Sequence, residues 1–433
     1  MSPSVTKPQA HNGEKREVHI LIVGGGLTGL IFAQGLRKFN ALAAAASCPV
    51  QFKYTIFERD PYVFARGGGY SLSFHWALKY LDEVLPPEVA AGLDNCLTNP
   101  HAVDQGDGGQ YQYLNLRTGE PIVQYPISGT MVKRLSREKL IRLLMTDLDV
   151  QFSKQLSDIT YQDDYNTVTA HFRDGSQATG DLLVGADGAR STVRKMLCGG
   201  EAAANTRLPI RMLGLRCVYP VDKICKCLEI DPFFYHGGDP VRNGYFWFSV
   251  IDLPRPDADK QVAECQMTMS WPYEQGFDGI SEPADVPATN EERLAWMRRL
   301  ADPWAEPMRT MVHDIPVDTE VREILLENWV PELGKWDNHG GRITLVGDAA
   351  HAMTIFRGEA ANHGIVDVGN LLNLLTSIPS EGLNLKRVID EYEREMIERT
   401  APAVERAHTA CIDANTFESV REGSSFLARK ILK

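Results

Sequence analysis

Val18-His19-Ile20-Leu21-Ile22-Val23-Gly24-Gly25-Gly26-Leu27-Thr28-Gly29 is the stretch whose reading decides the fold. Its first six residues form a largely apolar run, as a strand buried on both faces of a parallel sheet requires. The run stops at three glycines, and residues 27–39 then follow with helical spacing (Leu27, Leu30, Ala33, Leu36). Gly24, Gly26 and Gly29 meet three separate needs: a tight bend, close approach of backbone to a pyrophosphate, and close packing of helix on strand. The next strand-like run, Phe52-Lys53-Tyr54-Thr55-Ile56-Phe57, ends on Glu58. That acid is placed to accept hydrogen bonds from ribose hydroxyls, although it lies farther on than the usual ~20 residues. The alanine-rich stretch of residues 41–48 accounts for the excess. Together these segments make a βαβ unit with a dinucleotide-binding turn.

Outward from this unit, Gly67-Gly68-Gly69-Tyr70 is a glycine-rich loop leading to a helix over residues 76–85, and residues 139–148 are strongly helical. Residues 168–172, with Asp174-Gly175 as a turn, predict a hairpin returning through Leu182-Leu183-Val184. From about residue 208 to 271, aromatic and β-branched runs alternate with Pro, Gly and Asp clusters, the texture of an antiparallel sheet. Helical sequence covers residues 291–312, residues 342–346 read as another buried strand, and two helices close the chain (residues 366–375 and 384–417). The expected fold class is α/β: a Rossmann-like domain with an inserted, mostly antiparallel β-sheet domain and C-terminal helices. The expected divisions are a disordered tail over residues 1–15, a cofactor domain over 16–200, a substrate domain over 201–335, and a closing segment over 336–433.

Composition narrows the function classes. Of 433 residues, 43% are hydrophobic and 24% charged, the balance of an ordinary globular protein. A formal net charge of −12 argues against a nucleic-acid partner, which needs a concentrated basic face. Eight scattered cysteines, with no pair at zinc-site spacing, read as reduced thiols with no structural metal, in keeping with a cytoplasmic protein. No run approaches the ~18–20 apolar residues of a membrane span.

Two further glycine–aspartate segments follow strands: Gly185-Ala186-Asp187-Gly188-Ala189-Arg190-Ser191 and Gly347-Asp348-Ala349-Ala350-His351. With the first turn, in this order, they resemble FAD-dependent monooxygenases of the aromatic-hydroxylase type, in particular those of fungal secondary metabolism. Ser136-Arg137-Glu138-Lys139-Leu140 is similar to that family's Arg-x-x-Leu helix. The resemblance implies FAD as cofactor, NAD(P)H as co-substrate and O2 as oxidant. Arg137 would reach the FAD phosphates or ribityl region, Asp187 would touch FAD, and Asp348 would bind the ribityl chain. Gly69, Ala361 and Asn362 would lie beside the flavin, and Arg66 would meet the pyrophosphate. The implied reaction is hydroxylation or epoxidation of a small aromatic or polyketide/terpenoid-type metabolite through a flavin hydroperoxide, in a monomer or homodimer. The family pattern has proline where Ile355 stands and glycine where Ala360 stands, so an FAD-dependent oxidoreductase or cyclase that inserts no oxygen is the alternative.

On the substrate side, Arg216 is a charge within an apolar strand and could anchor a phenolate or enolate, a sheet-edge or ion-paired arginine being the other reading. Tyr235, Tyr245 and Trp247 could line a flat pocket or form core. His75, after the glycine loop, is a candidate proton relay, a helix-start histidine with no catalytic duty being the other reading.

Overall fold

The computed structural model of the chain describes residues 16–45, 50–127, 132–161, 166–377 and 383–428. The glycine-terminated strand is β1 (Arg16–Val23), followed by helix α1 (Leu27–Ala45) and strand β2 (Val50–Phe57). β1 and β2 pair in parallel, Val18 opposite Phe52 and Val23 opposite Phe57. On its other side β1 pairs in parallel with Leu182–Gly185, which pairs in turn with Ile343–Leu345. The short strand Val150–Gln151 completes a five-stranded sheet beyond β2. Segments far apart in sequence become neighbours here because runs such as Leu182–Gly185 and Ile343–Leu345 are buried at every position and must be covered on both faces. α1, Ala360–Thr376 and Leu385–Ala414 share one hydrophobic core with this sheet. Leu30, Phe32 and Leu36 of α1 are completely buried, each stabilising the layer by about 1.5–3 kcal/mol.

The hairpin expected to return through residues 182–184 closes earlier. Val168–Phe172 pairs antiparallel with Gln177–Gly180 and with Leu156–Tyr161. The Asp181 carboxylate accepts the His19 N–H, and its own N–H donates to the His19 carbonyl. That exchange sends Leu182–Gly185, buried at every position, into the parallel sheet.

The second sheet has seven strands in the order Val321–Glu323, Ile210–Pro220, Val262–Pro272, Gly244–Asp252, Phe234–Asp239, Gln110–Asn115 and Pro121–Pro126. All neighbours are antiparallel except Phe234–Asp239 and Gln110–Asn115. The last two strands precede residue 200, so this sheet draws on both sides of the expected domain division; buried Tyr113 and Leu114 belong to its core. The helical stretch over 291–312 is two helices, Asn290–Ala301 and Met308–His313, parted by a segment holding Pro303 and Pro307, which supply no N–H.

Residues 1–15, the expected tail, lie outside the described residues. Among the described residues the seven cysteines are free thiols, no helix is long and apolar enough to cross a membrane, and no cluster of His, Cys, Asp or Glu is arranged to hold a metal ion.

Candidate active site

The three glycine segments meet at the carboxyl ends of adjacent parallel strands, where open α/β sheets bind ligands. Gly24 has φ +119°, and a Cβ there would lie 2.3 Å from the Ala186 carbonyl oxygen, so glycine alone lets the first segment pack on the second. A Cβ on Gly29 would stand 2.1 Å from the Gly24 carbonyl oxygen. Gly26 differs: nothing lies within 4 Å of where its Cβ would be, and it lines a cavity of about 1680 Å³.

Both sheets wall this cavity. Gly25, Gly26, Thr28, Glu58, Ala186, Gly188 and Asp348 come from the parallel-sheet side, and Tyr111, Phe234, His236, Tyr245, Trp247 and Thr268 from the other. Glu58 is fixed at the wall by two backbone donors: Oε2 accepts the Gly25 N–H and Oε1 the Asp60 N–H, each at 2.9 Å. Every carboxylate oxygen keeps acceptor capacity beyond such a bond. Arg137 opens the helix Arg137–Leu144, with its N–H donating to the Tyr70 carbonyl at 3.0 Å and its guanidinium beside Gly69. The guanidinium carbon lies 5.9 Å from the ring centre of Tyr70, and no carboxylate pairs with it among the described residues. The Asp348 carboxylate likewise has no hydrogen-bond partner there; burial pushes its pKa up, with nearby His351 and Arg194 pulling it down and Asp367 adding to the rise.

A buried ionic cluster supports the Gly347–Asp348 turn. One Asp367 oxygen accepts the Gly347 N–H at 2.8 Å and lies 2.6 Å from His351 Nε2; the other accepts from Arg399 at 2.7 Å. Arg399 also donates to His363 Nδ1 and to Glu395. His351 and Arg399 hold the Asp367 carboxyl well below the ordinary carboxylate range despite its burial.

Four expected cofactor residues stand behind the wall rather than on it. Gly24 and Gly29 shape the turn. The Asp187 carboxylate accepts the Thr192 and Val193 N–H groups at 2.6 and 3.2 Å and the Ser191 hydroxyl, so it caps the helix Thr192–Cys198 while its neighbours Ala186 and Gly188 line the cavity. Asn362 is a clamp: its amide donates to the Ser73 and Gly358 carbonyls, and its Oδ1 accepts the His75 N–H. Arg66, Gly69, His75, Ile355, Ala360 and Ala361 line the cavity, with Arg66 ion-paired to Asp60 at 2.8 Å.

At two substrate-side positions the structure matches the second of the two readings. Arg216 reaches the cavity already neutralised, one terminal nitrogen on Glu138 at 2.9 Å and the other on Glu264. Tyr235 faces away, packed against Phe248 and hydrogen-bonded to Cys227, because side chains alternate along a strand. Its neighbour His236 takes the cavity position. His236 Nδ1 lies 3.1 Å from the Tyr245 hydroxyl, its Nε2 has no partner, and burial pushes its pKa down to about 3. Trp247 stacks on Phe234 at 4.7 Å. Sequence reading missed His236 and Arg134; the signal for His236 was a polar residue closing the aromatic run Phe233-Phe234-Tyr235, while Arg134, next to Lys133 in a short strand, gave none.

These residues fit FAD. The open face of Gly26, the unpaired N–H groups that begin any helix, the uncommitted Arg137 and the uncommitted Asp348 supply donors for a diphosphate and acceptors for sugar and ribityl hydroxyls.

Comparison with known proteins agrees. Residues 249–407 match the model of the FAD binding domain family. The chain is 47% identical over 379 residues to the FAD-dependent monooxygenase tazP of Aspergillus terreus, covering 87% of this chain and 94% of that protein. It is 42% identical to a probable FAD-dependent monooxygenase of Arthroderma benhamiae, covering 95% of each. Among solved structures, 2,6-dihydroxypyridine-3-hydroxylase from Arthrobacter nicotinovorans superposes with a TM-score of 0.70 at 18% identity, covering 97% of this chain and 98% of that one. At that identity the likeness concerns the fold.

Proposed function

We propose a reaction for this chain from one premise: it belongs to the FAD-dependent monooxygenases of the fungal secondary-metabolism type, and is an oxidoreductase that uses FAD. The chain hydroxylates or epoxidises a small aromatic or polyketide/terpenoid-type metabolite, with NAD(P)H as reductant and O2 as co-substrate. The observation that carries this reading is that one cavity is walled both by the dinucleotide turn and by the aromatic face of the second sheet.

On this reading the first N–H groups of α1 and the Arg137 guanidinium hold the diphosphate, with Arg66 at its outer edge. Glu58 accepts the ribose hydroxyls, and Asp348 those of the ribityl chain. Bound FAD supplies hydride acceptance and oxygen activation. Phe234, Trp247, Phe356 and Phe426 exclude water from the reacting region and give a flat substrate apolar walls. The Tyr245 hydroxyl and neutral His236 Nδ1 share one hydrogen bond, and in either tautomer the phenol oxygen keeps a lone pair to accept a substrate proton. His75, held by Asn362 at the opposite wall, is the second proton-handling candidate.

The test is NADPH oxidation by the FAD-loaded protein with a panel of phenols and enolisable polyketide analogues under isotopically labelled O2. Substrate-stimulated oxidation with one labelled oxygen atom in the product is expected. Turnover that leaves the product unlabelled sinks the oxygen-insertion reading and favours an oxidation or cyclisation.

A further inference from the structure

Two buried arginines of this protein are treated differently. Arg194 gives its donors to the carbonyls of Ala189, Ala203 and Ala349 and to the Asn205 side chain. Arg134, 6% exposed, is on the cavity wall, and its donors meet only hydroxyls: Ser73 at 2.8 Å, and Ser71 and Ser249 at 2.7 and 2.9 Å. Its Nε has no partner, and no carboxylate lies within ion-pair distance among the described residues. Asp231 acts on it only through space, since that carboxylate is committed to the N–H groups of Gln110, Phe233 and Phe234. Burial lowers the Arg134 pKa to about 9, so the group remains a cation at neutral pH.

A buried charge without a counter-charge is expensive, and hydroxyl partners relieve that only in part. The guanidinium carbon lies 5.0 Å from the ring centre of Phe234 and 5.4 Å from that of Trp247, which are themselves stacked and line the same cavity. The site therefore joins an uncompensated cation to a flat apolar surface. We infer that Arg134 is the anion-recognition residue of the substrate region, and that the substrate binds as an organic oxyanion, a phenolate or carboxylate, on a flat aromatic body. Arg216 cannot take this part, because two carboxylates already satisfy it. The inference rests on the proposed function in one respect: that the second-sheet side of the cavity receives substrate.

The experiment is calorimetric titration of the FAD-loaded protein with two matched pairs of probes, naphthoate against its methyl ester and ionised umbelliferone against its methyl ether. At least one anion is expected to bind about tenfold more tightly than its neutral partner, and which pair shows this separates carboxylate from phenolate. Arg134→Met is expected to erase the preference without weakening the neutral probes, and Arg134→Lys to keep part of it. FAD content and melting temperature are measured on each variant. Should Arg134→Met fail to fold, Ser249→Ala, which removes one of the hydroxyls that hold the guanidinium in place, is expected to change the anion preference while leaving the neutral probes unaffected. Absence of any preference in the parent protein, or a preference that survives in Arg134→Met, overturns the inference. Labelled oxygen entering a neutral substrate with no anion preference overturns it while leaving the proposed function intact. An anion preference lost in Arg134→Met, with no oxygenation of any probe, leaves it standing and removes the proposed function.

Discussion

The two walls of the cavity are built by different means. On the parallel-sheet side recognition falls largely to backbone: a glycine turn, the start of α1, and a few side chains fixed by backbone partners, such as Glu58 on the Gly25 and Asp60 N–H groups. On the other side it falls to side chains standing on regular strands, with His236, Trp247 and Thr268 at paired positions of three adjacent strands and Tyr245 two residues before Trp247 on the middle one. A backbone wall suits a ligand that never changes, because altering it alters the fold. A side-chain wall can be rewritten residue by residue while the strands stay paired, which suits a ligand that varies.

The contrast is sharpest between Gly24 and Gly26. Gly24→Ala is expected to destabilise the protein by about 3 kcal/mol, since its positive φ and the Ala186 carbonyl leave no room for a Cβ. Gly26→Ala meets open space, so its apoprotein is expected to unfold within about 0.5 kcal/mol of the parent, while the purified protein loses flavin absorbance. Denaturant unfolding and the visible spectrum measure both; equal stability losses in the two variants would break the division between fold-building and ligand-facing glycines. Next in size is Asp348→Ala. Losing charged acceptor bonds to hydroxyls is expected to weaken FAD binding by about 1.5–3 kcal/mol, seen as flavin release on dilution, with apoprotein stability unchanged or improved because a buried, unpartnered carboxylate is gone.

The smallest effect belongs to the second wall. The folded protein holds His236 neutral, its pKa lowered from 6.5 to about 3 by burial. The stability this contributes is therefore present above about pH 6.5 and is lost as pH falls through that value towards 3. Each pH unit in the window removes up to about 1.4 kcal/mol. Unfolding free energies of the parent and of His236→Gln at pH values between about 6.5 and 5 are expected to converge as pH falls. Parallel curves would mean that this ring takes up its proton equally in the folded and unfolded chain.

Legibility from sequence follows the same division. The turn at residues 24–29 and Glu58 were readable because a backbone site is local: strand, glycines and helix are consecutive, and the acid ends the next strand. The segments at 185–188 and 347–351 were readable because each follows an apolar strand. Asp187 shows the limit: the motif identified the place, but the carboxylate serves the helix that follows rather than the cavity. On the second wall the distinction between Tyr235 and His236 depends on which face of the strand meets the cavity. Arg134 was invisible because its importance lies in what surrounds it, three serines from two strands and no acid. Arg216 stood out in sequence for its charge, yet its two acidic partners come from a helix and from the adjacent strand.

The Asp367 cluster has a thermodynamic consequence. One carboxylate binds the backbone that presents Asp348 and, through Arg399, the long helix Leu385–Ala414. Cofactor retention and docking of that helix are then linked equilibria. Whatever loosens the helix weakens FAD binding, and by reciprocity FAD tightens the helix by the same factor. A chain emptied of its flavin should exchange the amide protons around residue 399 faster.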